Sequence, residues 1–146
     1  MIGGGLLLQE PNIEDDDVGE WRVSSRTRPT DAQWDDLRFA WKVVRYVKSN
    51  GIVVARQRAI VGVGSGQPNR VGSVEIALRV AGGRTQGAVL ASDAFFPFAD
   101  GVKAAIRAGI GAIVQPGGSK RDAEAIDAAD AAGISMVMTG RRHFLH

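Results

Sequence analysis

Seven consecutive residues, Ser92-Asp93-Ala94-Phe95-Phe96-Pro97-Phe98, set a hydroxyl, a carboxylate and three aromatic rings directly after an apolar run, Gly87-Ala88-Val89-Leu90-Ala91. The apolar run reads as a buried strand. Proline lacks the donor a central strand needs, so the strand stops here. Rings beside an acid at a strand's carboxyl end suit the wall of a pocket for a flat ligand. The competing reading folds the rings into the core. A second candidate is Gly62-Val63-Gly64-Ser65-Gly66, between a strand and a helix. It fails as a dinucleotide fingerprint, because the third glycine comes too early and no matching βαβ unit follows. Its glycines would still let backbone approach a ligand, and the helix start could help bind an anion. Arg70 stands in that first helical turn, where the dipole favours acids. Either a bound phosphate or carboxylate answers its charge, or it is an exposed arginine.

Two further segments belong with these. Gln115-Pro116-Gly117-Gly118-Ser119 is another strand-end loop, and Thr139-Gly140-Arg141-Arg142-His143-Phe144-Leu145-His146 follows the last strand. In parallel α/β sheets such loops gather at one edge, where ligands bind. The terminal segment either brings cations to that mouth or frays. His143 and His146 have no sequence-visible partner for nucleophilic catalysis or metal ligation, and no HExxH or CxxC motif occurs. Glycine, arginine, an acid and aromatics at strand ends point to an anionic, partly aromatic ligand such as a nucleotide. They name no reaction.

The elements that must hold these residues can be read from periodicity. Residues 6–9 read as a short strand after a glycine turn, and 11–20, with the acidic run Glu14-Asp15-Asp16-Asp17, as a solvated loop. Residues 21–25 suit another short strand. Thr30 is the expected N-cap of a helix, with Gln33 completing a capping box. Leu37, Ala40, Trp41, Val44 and Val47 then make one apolar stripe. That helix is expected to end near Lys48-Ser49-Asn50-Gly51. Residues 52–55 and 59–63 predict a hairpin, and 70–81 a helix. After the aromatic loop come a helix over 100–108, a strand over 109–114, a helix over 120–132 and a strand over 133–138. Strand, helix, strand, helix, strand spells a parallel layer. The expected fold is a three-layer α/β/α sandwich with a mixed sheet: a loop-rich segment, 1–29, leading into an α/β core, 30–146.

The bulk properties limit the function classes. A chain of 146 residues suits one domain with a real core. Lys and Arg number 18 against 16 Asp and Glu, so no strong field attracts nucleic acid. Cysteine is absent, which removes disulfides, thiolate nucleophiles and cysteine-ligated metals. No apolar run approaches the ~20 residues of a membrane span. The first residues lack the basic n-region of a secretion signal. The expected address is the cytoplasm.

In this order, Lys48-Ser49-Asn50, Gly62-Val63-Gly64-Ser65-Gly66-Gln67 with Arg70, Ser92 to Phe98 with Asp100, Gln115 to Ser119 and the terminal segment resemble one family. It is the PurH family of bifunctional purine biosynthesis proteins, which join an AICAR formyltransferase to an IMP cyclohydrolase. The resemblance is to the C-terminal part of those proteins, over essentially the whole chain. It implies a cytidine deaminase-like fold without the deaminase zinc, the second of two such halves in the formyltransferase. It implies that Asn50, Arg70, Phe95 and Arg142 contact AICAR. Val71, Asp100, Ser119 and Lys120 would lie on the side of the cosubstrate, 10-formyltetrahydrofolate. Asp100 and His146 would support the reacting centre, and a monovalent cation near Asp93 is the other cofactor raised. The family's catalytic Lys-His pair belongs to the first half, and no Lys-His dipeptide occurs here. The resemblance reaches only the formyltransferase, so the cyclohydrolase domain is expected to lie outside these residues too. The chain is therefore expected to be incomplete alone: a fragment, or a subunit served by a homodimer partner or a separate chain. The glycine turn and strand at its start fit either idea. The alternative is a nucleotide-binding or association module.

Overall fold

A computed structural model describes residues 8–9 and 18–146. The strand expected over residues 6–9 and the acidic run 14–17 fall outside these, except Leu8 and Gln9, which have no regular structure.

Helix α1 spans Asp31–Val44, and its start obeys the capping box. The Gln33 N–H donates to Thr30 Oγ1 at 3.2 Å and the Thr30 N–H donates to Gln33 Oε1 at 3.0 Å. Such a cap contributes about 1 kcal/mol. Leu37, Ala40, Trp41 and Val44 are buried along one face. The helix stops at Val44, short of the expected end. The N–H groups of Tyr46 and Val47 donate three residues back, to Val43 and Val44, which tightens the last turn. The chain then doubles so closely that a side chain on Gly51 would lie 3.1 Å from the Val47 carbonyl oxygen.

Strands β2 (Ile52–Arg56) and β3 (Ala59–Gly64) form the expected hairpin. Its two turn residues, Gln57 and Arg58, have φ of 54° and 55°. Such turns favour Asn-Gly. Here the Asp36 carboxylate on α1 compensates by accepting both turn N–H groups, at 2.9 and 2.6 Å. Asp35 pairs with Arg58 beside it.

Helix α2 occupies Arg70–Ala81, as the periodicity predicts, with Asn69 as N-cap accepting the Gly72 N–H at 2.8 Å. Strand β4 (Val89–Ser92), helix α3 (Asp100–Arg107), β5 (Ala112–Gln115), α4 (Asp122–Ala132) and β6 (Ser135–Met138) complete the core. A two-residue strand, Arg22–Val23 (β1), pairs antiparallel with β6. The sheet order is β1-β6-β5-β4-β2-β3, with β4, β5 and β6 parallel and β2 antiparallel to both neighbours.

Strand alternation builds the layers. Val53, Val89, Ala91, Val114 and Val137 point to α1. Ile52, Leu90, Ile113 and Met136 point to α2, α3 and α4. The result is an α/β sandwich with a mixed six-stranded sheet and four helices. Gly62 and Gly64 serve this packing and not a ligand. An added Cβ would lie 2.1 Å from the Ala77 carbonyl oxygen and 1.8 Å from that of Ser73, so only glycine lets α2 lie this close to β3. Among the described residues no helix is long and apolar enough to cross a membrane.

Candidate functional site

A cleft of about 530 Å³ opens where β4 ends and α2 begins. Five of the sequence-predicted residues line it: Asn50, Arg70, Val71, Phe95 and Asp100. Pro68, Asn69, Pro97, Phe98 and Phe144 complete most of its wall.

The three rings of the aromatic loop divide between the two readings. Phe96 is 1% exposed and belongs to the core, whereas Phe95 lines the cleft and Phe98 is 53% exposed at its mouth. The Phe96 N–H donates at 3.3 Å to Oε1 of the fully buried Gln115, which ties the loop to β5. Proline at 97 ends hydrogen bonding and turns the chain outward toward α3.

Arg70 is not an exposed arginine. It is 7% exposed, and Asp93 is fully buried against it. One guanidinium nitrogen donates to Ser92 Oγ at 2.8 Å and to Asp93; the other donates to Asn50 Oδ1 at 2.8 Å. Three of the five N–H donors are thus engaged, which leaves two for a ligand in the cleft. Asn50 is itself fixed, its side-chain amide donating to the Gln67 backbone carbonyl at 2.8 Å and its backbone carbonyl accepting from the Ser73 hydroxyl at 2.7 Å. The acid of the loop is therefore a buried counter-ion beneath the cleft.

The terminal segment does not fray. The His143 N–H donates to the Asp93 carbonyl at 2.7 Å, and the Leu145 N–H to Ser49 Oγ at 3.1 Å. Gln9 brackets it, donating to the Phe144 carbonyl and accepting from the His146 N–H at 3.0 Å. His143 is buried, its ring 4.8 Å from that of Trp41. Phe144 reaches the cleft. Arg142 does not line it, but its guanidinium lies 5.3 Å from the Phe144 ring. His146 is exposed, its ring 6.0 Å from Phe144.

Ser119 and Lys120 do not line the cleft either. Ser119 Oγ accepts the Arg121 N–H at 3.1 Å, and Lys120 is exposed. Arg121 links their loop to the mouth, its guanidinium 4.8 Å from the Phe98 ring. Pro116, Gly117, Gly118, Thr139 and Gly140 face a separate recess of about 360 Å³. The strand-end loops thus serve two openings, because β5 and β6 lie farther along the sheet than β4. Sequence reasoning missed Ser49, Gln115 and Phe144 as site-building residues. Ser49 and Gln115 stood inside motifs already singled out, but their partners are distant in the chain. Among the described residues no cluster of three or more His, Cys, Asp or Glu could hold a metal ion.

The arrangement is a mixed-sheet α/β sandwich carrying a half-polar, half-aromatic cleft at a strand end. Its fold is like that of Acinetobacter baumannii RibD, a cytidine deaminase-like fold, with a TM-score of 0.50 and 19% identity over 73% of this chain and 34% of that one. Residues 1–80 match the family model described as AICARFT/IMPCHase bienzyme. The chain belongs to that family. It is 61% identical over 145 residues to the bifunctional purine biosynthesis protein PurH of Cyanothece sp. (strain PCC 7425 / ATCC 29141), 56% to that of Synechococcus elongatus and 55% to that of Streptococcus thermophilus. Each match covers 99% of this chain and 28% of the relative. The chain therefore spans under a third of the length of these relatives.

Proposed function

We propose that this chain contributes the AICAR-holding half of an AICAR formyltransferase site in purine biosynthesis. Asn50, Arg70, Phe95 and Arg142 hold AICAR, and Val71, Asp100, Ser119 and Lys120 face 10-formyltetrahydrofolate. The observation that carries this reading is the convergence of Asn50, Arg70 and Phe95 on one cleft, with Val71 and Asp100 on its wall. Phe95 offers a ring face for the aminoimidazole. Arg70 offers two free N–H donors to its polar or anionic edge. The likeness of the fold to RibD favours the formyltransferase half over the cyclohydrolase, since the family resemblance ascribes that fold to the former.

Formyl transfer joins the amine nitrogen of AICAR to the formyl carbon, breaks that carbon's bond to the folate nitrogen and releases tetrahydrofolate, and it is largely a matter of orienting two flat ligands. The group that takes the amine proton is a Lys-His pair supplied from outside this chain. Asp100 and His146 act in support. A homodimer partner or a separate chain brings the missing half. Asp93, the Ser49 hydroxyl and the Leu145 carbonyl are the hard oxygen donors a monovalent cation would take.

The test mixes this chain with one carrying the Lys-His segment and assays formylation of AICAR. The pair is expected to make product and this chain alone none. AICAR binding by the single chain without product from the pair would favour a binding module.

A further inference from the structure

A fully buried glutamine stands among the apolar side chains of the core behind the aromatic loop. Gln115 ends β5, two residues after Ile113, so strand alternation turns it to the same face, toward Met136 and Phe96. Its amide has one workable orientation. The Phe96 N–H can only donate, so it meets Oε1, at 3.3 Å; the Met136 thioether can only accept, so it takes Nε2, at 3.5 Å. Of the main-chain N–H groups from Ala94 to Phe98, that of Phe96 alone has a partner among the described residues. Pro97 has no N–H to give. Gln115 is therefore the peg on which this stretch of backbone hangs.

The ring of Phe96 is met as closely from α3. A side chain on Gly101 would lie 3.0 Å from Phe96 Cε1, so glycine there lets the first turn of the helix close on the ring. Gly101 follows Asp100 and Phe96 follows Phe95, and both Asp100 and Phe95 line the cleft. One buried residue thus fixes the chain between two residues of the wall. Phe95 itself is only half-buried. Its direction is set by the seat of its neighbour.

We propose that Gln115 is a positioning residue: by holding the Phe96 main chain it fixes the direction in which the Phe95 ring enters the cleft. It acts through Phe95 and is itself absent from the cleft wall. An apolar side chain of the same length keeps the packing and removes the acceptor, which leaves the Phe96 N–H without a partner in the core. The loop then turns to find one, and Phe95 turns with it. A ring that stacks on a flat ligand tolerates little of this, since binding groups must be held within about 0.5 Å of their productive place. The consequence for AICAR rests on the function proposed above, while the seating of the loop is independent of any ligand.

The experiment uses the full chain in two stages. Amide exchange and ring resonances are first followed by NMR without ligand. Gln115→Met is expected to speed exchange at the Phe96 N–H by about tenfold, the scale of one lost hydrogen bond, and to shift the Phe95 ring resonances, while β4 and β6 amides stay protected. Gln115→Glu keeps an acceptor oxygen whether or not it is ionised and should restore both. AICAR is then titrated. Gln115→Met should bind it about three- to tenfold more weakly. In a Phe95→Ala background the same change should cost nothing further, because the residue it acts through is gone. Ile113→Val trims the same face of β5 and removes no hydrogen bond, so it should lower the urea midpoint with AICAR affinity unchanged. Unchanged Phe96 exchange and Phe95 resonances in Gln115→Met overturn the seating of the loop. Wild-type affinity in Gln115→Met, or an equal loss in the Phe95→Ala background or in Ile113→Val, overturns the positioning role. Where Gln115→Met does not fold, Gly101→Ala decides: its methyl presses the Phe96 ring from α3 and should weaken AICAR binding in the wild-type background but not in Phe95→Ala. A wild-type chain that fails to bind AICAR removes the proposed function, and the NMR result still judges the seating of the loop.

Discussion

Replacing Arg70 by Met removes one side of the buried pair and leaves the shape of the stem. Asp93 is fully buried and the Arg70 side chain 5% exposed, so neither charge has water to fall back on. An uncompensated buried charge typically costs about 3–5 kcal/mol. Asn50 Oδ1 also loses its donor, while Ser92 keeps its bond to the Ala94 carbonyl. Against a total stability of roughly 5–15 kcal/mol, that is a third or more for many domains. Asp93→Asn is expected to cost a comparable amount, because it strands the guanidinium. Combining the two removes both charges, so the double variant should lose less than the sum of the singles, with a coupling of about 1–3 kcal/mol. Urea unfolding at pH 7, followed by circular dichroism, measures all three. Singles that each cost under about 1 kcal/mol and add without coupling would refute a buried, mutually dependent pair. Where Arg70→Met does not fold, Arg70→Lys keeps the charge on one nitrogen, loses the reach to Asn50 and should cost about 1–2 kcal/mol.

The aromatic loop predicts a separation between adjacent residues: Phe95→Ala should weaken AICAR binding by about 1–3 kcal/mol with little change in melting temperature, whereas Phe96→Ala should cost about 3–5 kcal/mol of stability. Calorimetric titration and thermal unfolding of both variants check this. Gly64→Ala should destabilise by at least the roughly 1–3 kcal/mol of an overpacked site, since the new methyl meets the Ser73 backbone, and its urea midpoint reads the loss. The Arg58 guanidinium, by hydrogen bond and charge, holds the Asp35 carboxyl below the usual aspartate range. Its contribution is therefore present above about pH 4 and fades as pH falls through the lowered value, so wild type and Asp35→Asn should converge in urea midpoint toward pH 2.

What could be read from the sequence was local. Thr30 and Gln33 lie three residues apart, and their capping box needs nothing else. The parallel β4, β5 and β6 follow from apolar runs alternating with helical stripes, and α2 begins and ends where its periodicity says. What escaped depends on partners far along the chain. Arg70 looked like a charge awaiting an anion because Asp93 stands 23 residues away. The glycines at 62 and 64 looked like a ligand cradle because the Ala77 and Ser73 carbonyls that crowd them belong to another element. The Gln57–Arg58 turn has unfavourable residues and exists because Asp36, 21 residues earlier than Gln57, accepts its N–H groups. The terminal segment left fraying and a place at the cleft equally open because Ser49, its anchor, is 96 residues before Leu145. Of the candidate site, the residues near β4 and α2 share the cleft. Ser119 and Lys120 stand off it, since β5 opens onto a different recess.

The most direct measurement of the central claim is a ¹H–¹⁵N NMR titration of the chain with AICAR. The account predicts shifts concentrated at Asn50, Arg70, Val71, Phe95 and the segment around Arg142 and Phe144, saturating together. No shifts, or shifts confined to the recess at Gly117, Gly118 and Thr139, would contradict it.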